Sequence, residues 1–171
     1  MENEARYGDE PTYIVEAPKT CIRIKVKKLH PDAVIPKKAT PQSACYDVYA
    51  PEDFIVSTGR SVMPLGLAIE LPPGYAAEIR PRSGYSSKGF AGTLADTEYR
   101  FDVDCIHGMI DADYRNGIGV IIRSRENRAF VVRKGQRVAQ MLIIKAERVD
   151  FEETETLAET DRHGGFGHTG I

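Results

Sequence analysis

Apolar residues recur along this chain in short bursts at every second position. In "CIRIKVK", residues 21–27, Ile22, Ile24 and Val26 alternate with Arg23, Lys25 and Lys27, the signature of a strand with one buried face. "LGLAIEL" sets Leu65, Leu67, Ile69 and Leu71 against Gly66, Ala68 and Glu70. It stops at "PPG", where two prolines cannot donate to a ladder and Gly74 permits a tight turn. "YAAEI", "IGVII", "AFVV" and "MLIIKAERV" are further short runs bounded by turn residues. No window of a dozen residues sustains a 3.6-residue period, and one short helical turn around Tyr85 to Lys88 is all the helix predicted. The pattern predicts an all-β protein, a jelly-roll-like barrel or sandwich with at most one short helix. No internal repeat is visible.

The rhythm fails at both ends. Residues 1–18 mix charge, glycine and proline, and read as a flexible N-terminal arm ahead of a β domain over 19–151. Residues 152–171 form a C-terminal arm: an acidic stretch, "EETETLAETD", then "RHGGFGHTGI". Four glycines around Phe166 cannot build a core, so this tail is expected to be flexible when free, its ring needing something to stack on. The link at 85–107 carries Asp96, Glu98, Asp102 and Asp104 and reads as a solvated acidic loop.

Composition narrows the function. The chain has 171 residues, enough for one domain with a real core, and a formal net charge of −2. That balance argues against a broad nucleic-acid-binding face, though not against a local basic pocket. No apolar run is long enough to span a membrane, and the acidic start is no secretory signal. Cys21, Cys45 and Cys105 are odd in number and lack a C-x-x-C spacing, so a reducing, cytoplasmic setting is expected.

Three polar stretches could carry chemistry. "IRPRSG", residues 79–84, places Arg80 and Arg82 around Pro81, followed by Ser83 and Gly84; guanidinium groups, a hydroxyl and an approachable backbone suit phosphate, but a basic turn after a strand would look the same. "GQRVAQM", residues 135–141, offers Arg137 and Gln140, or simply a polar strand start. "GMIDADYRNGIGV", residues 108–120, puts Asp111 and Asp113 two apart, hence on one side if the segment is extended. Such carboxylates could activate water or help hold a divalent cation; capping a turn is the plainer use. No phosphate-binding G-x-x-x-x-G-K-[ST] loop and no H-E-x-x-H or H-x-E…C-x-x-C zinc pattern exists.

Taken in order, these blocks resemble the five motifs of the trimeric dUTP nucleotidohydrolases, the dUTPases: "SACYDVYA" (43–50), "PRSG" (81–84), "GMIDADYRNGIGV", "GQRVAQM" and "DRHGGFGHTG" (161–170). The resemblance runs from about Ile22 to the C-terminus. It implies hydrolysis of dUTP to dUMP and pyrophosphate, which limits uracil in DNA and supplies dUMP for dTMP synthesis. Asp111 matches the catalytic aspartate that deprotonates the water attacking the α-phosphorus. Tyr114 matches the residue under the deoxyribose, where a 2′-hydroxyl would clash. Arg82, Ser83, Gly84 and Gln140 match phosphate contacts. Phe166, with Gly167 beside it, matches the ring that stacks on uracil, and Arg162 the arginine that reaches the γ-phosphate. Asp47 matches a carboxylate supporting Mg²⁺ indirectly through water, the ion being held otherwise by substrate phosphates. Uracil is expected to be read by backbone groups of a hairpin over Asp104 to Gly108, including Cys105 and Gly108. Asp113, Arg115 and Arg137 look like scaffold. The family also implies a homotrimer with exchanged C-terminal arms and shared sites, with no direct nucleic-acid or membrane partner.

The chain departs from the family pattern in three places. Cys45 stands where glycine is usual. Motif five has one residue fewer between Arg162 and Gly164, which shortens the arginine's reach. The link between motifs two and three is longer, an insert of about 89–104. The nearest enzymatic alternative is a dCTP deaminase or a bifunctional deaminase and dUTPase, which needs a glutamate on the strand after motif three. "GIGVIIR" has none, and the first carboxylate after Asp113 is Glu126. A dUTPase-like regulator binding protein partners through the insert is the non-enzymatic alternative.

Overall fold

Within residues 21–161, the part the computed structural model describes, short strands follow one another with a single helical interruption. In chain order they are β1 (Lys25–Lys28), β2 (Tyr46–Tyr49), β3 (Phe54–Val56), β4 (Gly59–Glu70), β5 (Tyr75–Arg80), α1 (Ser83–Lys88), β6 (Phe90–Leu94), β7 (Thr97–Phe101), β8 (Val103–Ile106), β9 (Gly108–Ile110), β10 (Ile118–Ser124), β11 (Phe130–Val132) and β12 (Arg137–Lys145). They form three four-stranded antiparallel sheets, ordered β1-β4-β10-β8, β3-β11-β6-β7 and β2-β12-β5-β9. This is the all-β, jelly-roll-like architecture that the alternation predicts.

Alternation decides which faces meet. Along β4, Met63, Leu65, Leu67 and Ile69 are buried, whereas Val62 stays 62% exposed on the opposite face. They pack with Val120 and Ile122 of β10, Ile79 of β5, and Phe90 and Phe130 of the second sheet into one core. Gly66 interrupts β4 with φ +65°, and a Cβ there would lie 2.6 Å from His30 Cβ, so the position demands glycine on both counts. The helix ends at Gly89, φ +83°.

Two strands are shorter than their patterns predict, for one reason. The ladder of β1 begins at Lys25 because its partner there is Glu70, the last residue of β4; residues 21–24 have no strand to face. The ladder of β12 stops at Lys145, opposite Tyr75, where β5 begins. "AERV" therefore leaves the sheet, with Val149 and Phe151 63% and 97% exposed.

The link expected as a solvated acidic loop is instead structured. β6 and β7 pair as a hairpin from Phe90↔Phe101 to Leu94↔Thr97, closed by Ala95 and Asp96 at φ 47° and 62°. Phe101 stacks on Phe130 with ring centroids 3.9 Å apart, and a Cβ on Gly92 would strike Phe130 at 2.3 Å. Three of the four acidic residues make exposed ion pairs: Asp96 with Arg133 at 2.8 Å, and Asp102 and Asp104 with Arg125. Pattern reading misses the hairpin because glycine and threonine interrupt its apolar positions. The expected N-terminal arm, 1–18, and the glycine-rich part of the C-terminal arm, 162–171, lie outside the described residues.

Candidate active site

Sheet β2-β12-β5-β9 gathers four of the polar motifs on neighbouring strands. Gln140 of β12 stands in register with Asp47 of β2 on one side and with Arg80 of β5 on the other. Cross-strand partners share a face, so sequence segments about 60 and 90 residues from Gln140 converge around it. Gln140 Nε2 donates to the Pro81 carbonyl at 2.8 Å, fixing the backbone between Arg80 and Arg82.

Asp47 is the anchor of this end. It is 8% exposed; Oδ1 accepts from Arg82 Nε at 3.2 Å and Oδ2 from Arg137 Nη1 at 3.2 Å. A carboxylate so buried needs this pairing, since an isolated charge would be costly away from water. Arg82 is the N-cap of α1, with extended backbone at φ −82° and ψ 138°. Ser83 and Gly84 follow, both exposed, and a Cβ on Gly84 would meet nothing within 4 Å. The result is a cationic, hydroxyl-bearing, sterically open end of the sheet, suited to an anion.

A second group forms around the Asp111 turn. The Tyr114 N–H donates to the Asp111 carbonyl at 3.2 Å, closing the turn, and Arg115 Nη1 donates to the Ala112 and Tyr114 carbonyls. The segment is therefore not extended, and the expected shared side for Asp111 and Asp113 does not occur. Asp111 borders a cavity of about 280 Å³ with Val62, Ile79, Gly108, Tyr114 and Ile121 among its walls. Asp113 borders a separate groove with Arg23, Lys25 and Arg115. Tyr114 is held by its hydroxyl, which donates to the Gly117 carbonyl at 3.0 Å. Among the described residues no donor is hydrogen-bonded to the Asp111 carboxylate. A Cβ on Gly108 would meet only Ile121 Cδ1, at 3.9 Å, so the cavity is open there.

The expected hairpin over Asp104 to Gly108 is not one. β8 pairs with β10 and β9 with β5, so the chain crosses between sheets at His107. His107 Nδ1 lies 3.0 Å from Glu78 Oε1 at the crossing. Cys105 is in register with Ile122, and burial pushes its thiol up to about 11. Its side chain belongs to the core. The cavity walls Val62 and Ile121 carry no signal of their own in the sequence, being ordinary apolar strand residues. Arg162, Phe166 and Gly167 lie outside the described residues.

The two groups sit at opposite ends of one strand pair. In the β5–β9 ladder Ile79 faces Gly108 and Ala77 faces Ile110. Arg82 lies beyond the Gly108 end and Asp111 beyond the Ile110 end. At about 3.3 Å per residue the two are separated by roughly 15–20 Å along the strands.

Comparison with known proteins agrees with the sequence motifs. The dUTPase family model matches residues 31–170. The chain is 42% identical over 154 residues to a deoxyuridine 5′-triphosphate nucleotidohydrolase of Syntrophotalea carbinolica, covering 88% of this chain and 98% of that protein. Among solved structures it resembles the dUTPase of Staphylococcus bacteriophage 80alpha with dUpNHpp: TM-score 0.73, 22% identity, 87% of this chain and 99% of that one. It also resembles a variant dUTPase from phage phi11 of S. aureus, described with a structural Mg(II) ion: TM-score 0.66, 19% identity, 78% and 97% coverage.

Proposed function

Because the chain belongs to the dUTPase family, we propose that it hydrolyses dUTP to dUMP and pyrophosphate, limiting uracil in DNA and supplying dUMP. The observation that carries this reading is the uncapped Asp111 carboxylate at the edge of an apolar cavity about the size of a nucleoside. A carboxylate with no protein donor is free to accept from water. Asp111 orients and deprotonates the water that attacks the α-phosphorus. The Tyr114 ring, braced at Gly117, packs under the deoxyribose and leaves no room for a 2′-hydroxyl. Backbone groups around Cys105 to Gly108, at the sheet crossing, read the uracil. Breaking the α–β phosphate bond needs alignment and charge neutralisation more than covalent help. Arg82, Ser83, Gly84 and Gln140 supply these for the phosphates, with Arg162 reaching the γ-phosphate, and Phe166 beside Gly167 stacking on the base.

Among the described residues there is no cluster of three or more carboxylate, imidazole or thiolate groups that could cage a metal. Both Asp47 oxygens already face guanidinium groups. Mg²⁺ prefers oxygen ligands and retains water, so the triphosphate is its fitting host, with Asp47 acting on it only at a distance. When bound, the ion supplies charge neutralisation.

The separation of the two ends of the sheet, roughly 15–20 Å along the strands, favours a site completed by a second copy of the chain. We therefore read the enzyme as a homotrimer whose sites combine the Asp111 group of one copy with the Arg82 group of another. The exposure of Phe151 and Leu157, 97% and 86%, supports an arm that packs on a neighbouring copy. Cys21, Cys45 and Cys105 are free thiols, in keeping with a cytoplasmic location. Product analysis with dUTP, dTTP, dCTP and UTP in the presence of Mg²⁺ tests the assignment: pyrophosphate should be released from dUTP alone, and ammonia release from dCTP would overturn it.

A further inference from the structure

Arg82 needs more than a counter-charge to face phosphate. Its Nε is spent on Asp47, and an arginine side chain retains several rotatable bonds with which to swing away. Three residues on, Tyr85 occupies the inward face of α1, 8% exposed. Its ring lies beneath the Arg82 guanidinium, 5.3 Å from ring centroid to Cζ, within the range of a cation–π contact. The ring is itself fixed. Tyr85 Oη donates to the Arg137 carbonyl and accepts from Gln136 Nε2 at 3.2 Å, while Gln136 Nε2 also donates to the Ala91 carbonyl at 2.6 Å. Phe90 packs against the ring at 4.5 Å between centroids. β12, β6 and α1 are thus tied through one phenol.

We infer that Tyr85 is a positioning residue for the phosphate-binding arginine: its anchored ring holds the Arg82 guanidinium flat, so that Asp47 takes Nε while the remaining N–H groups face the anion. The geometry assigns the two contacts different tasks. Asp47 sets where the guanidinium sits, and Tyr85 sets which way its plane lies. A planar fork binds phosphate oxygens in pairs only when its plane is correct, so orientation is worth affinity. An aliphatic residue at position 85 would keep an apolar side chain beneath Arg82 and leave that plane unfixed. The hydroxyl network further links this orientation to Arg137, the second arginine on Asp47.

The inference rests on the assignment of Arg82 to phosphate, and the experiment separates the two. Calorimetric binding of inorganic pyrophosphate reads the phosphate end without the nucleoside and without turnover. Arg82→Ala should weaken that binding strongly; if it does not, the phosphate assignment itself fails. Tyr85→Met, which keeps an apolar but smaller side chain, should weaken pyrophosphate binding and raise KM for dUTP about tenfold with kcat little changed. Tyr85→Phe should recover most of the loss. In an Arg82→Ala background Tyr85→Met should add nothing. Unaltered binding in Tyr85→Met, or a full effect without Arg82, would overturn the inference even if the melting temperature fell. Should Tyr85→Met fail to fold, the intact protein still decides: Arg82 side-chain protons should show an upfield ring-current shift in the NMR spectrum that Tyr85→Phe retains, and its absence overturns the orientation.

Discussion

Arg82 and Asp47, 35 residues apart in sequence, meet through Nε and Oδ1 at 3.2 Å, and the other Asp47 oxygen is held by Arg137. Removing the carboxylate leaves two guanidinium groups, Arg82 partly buried and Arg137 exposed, without the buried charge that holds them together. Asp47→Ala should cost about 1–3 kcal/mol, below the full cost of a buried pair because both arginines keep partial access to water. It should also raise KM for dUTP. Chemical denaturation and steady-state kinetics check both, and an unchanged midpoint would show that the pair contributes nothing.

Asp111→Asn keeps the shape of the turn and removes the base. Turnover should fall a hundred- to ten-thousandfold, the usual contribution of a general base, with nucleotide affinity retained. The separation between Asp111 and Arg82 yields a sharper test. Asp111→Asn and Arg82→Ala chains, each nearly inactive alone, should regain activity when refolded together, because about one shared site in four then combines both intact groups. Failure to complement would mean that each site is built within a single chain.

Deleting residues 162–171 should lower kcat/KM by orders of magnitude and leave the melting temperature unchanged, since strands β1–β12 and the core cluster they share lie outside the deleted segment. A native rate in the truncated protein would remove Arg162 and Phe166 from the site.

The base of the β6–β7 hairpin belongs to the core through Phe90 and Phe101, while Thr97 to Arg100 are exposed. Phe101→Ala should destabilise by about 3–5 kcal/mol, given its stacking on Phe130. Its tip offers the opposite effect. Ala95 is held at φ 47°, a region that costs alanine more than asparagine, so Ala95→Asn should stabilise by about 0.5–1 kcal/mol and raise Tm by roughly 1–4 °C. Calorimetry of the two variants measures both signs.

Burial pushes the Cys105 thiol up to about 11, which makes stability depend on pH in a defined window. The raised value means that the unfolded chain ionises first. Stability from this group is full below about pH 8.5 and is lost as pH rises toward 11, because the unfolded state then binds fewer protons. Cys105→Ala should flatten that alkaline decline. Iodoacetamide at pH 8 should label exposed Cys21 and reach Cys105 only in denaturant.

How far the sequence can be read shows in particular residues. Val62 and Ile121 line the cavity, yet nothing in their neighbourhoods distinguishes them from other strand residues, and their importance comes from pairing across the sheet. The hairpin at 90–101 eluded pattern reading because Gly92 sits where an apolar residue would have completed the alternation; the Phe130 ring fills that space instead.

Strand alternation and the choice of Asp, Arg, Tyr and Gln are local properties of the chain, so the class of fold and the order of the chemical motifs are legible before any folding is considered. Tertiary structure alone decided where strands end, because a ladder stops when its partner does, as at Lys25 opposite Glu70 and Lys145 opposite Tyr75. It also decided that Asp111 and Asp113 part company at a turn. The same β5–β9 register that brings motifs two and three onto one sheet holds their working ends apart, and register is a property of two strands together that neither carries alone.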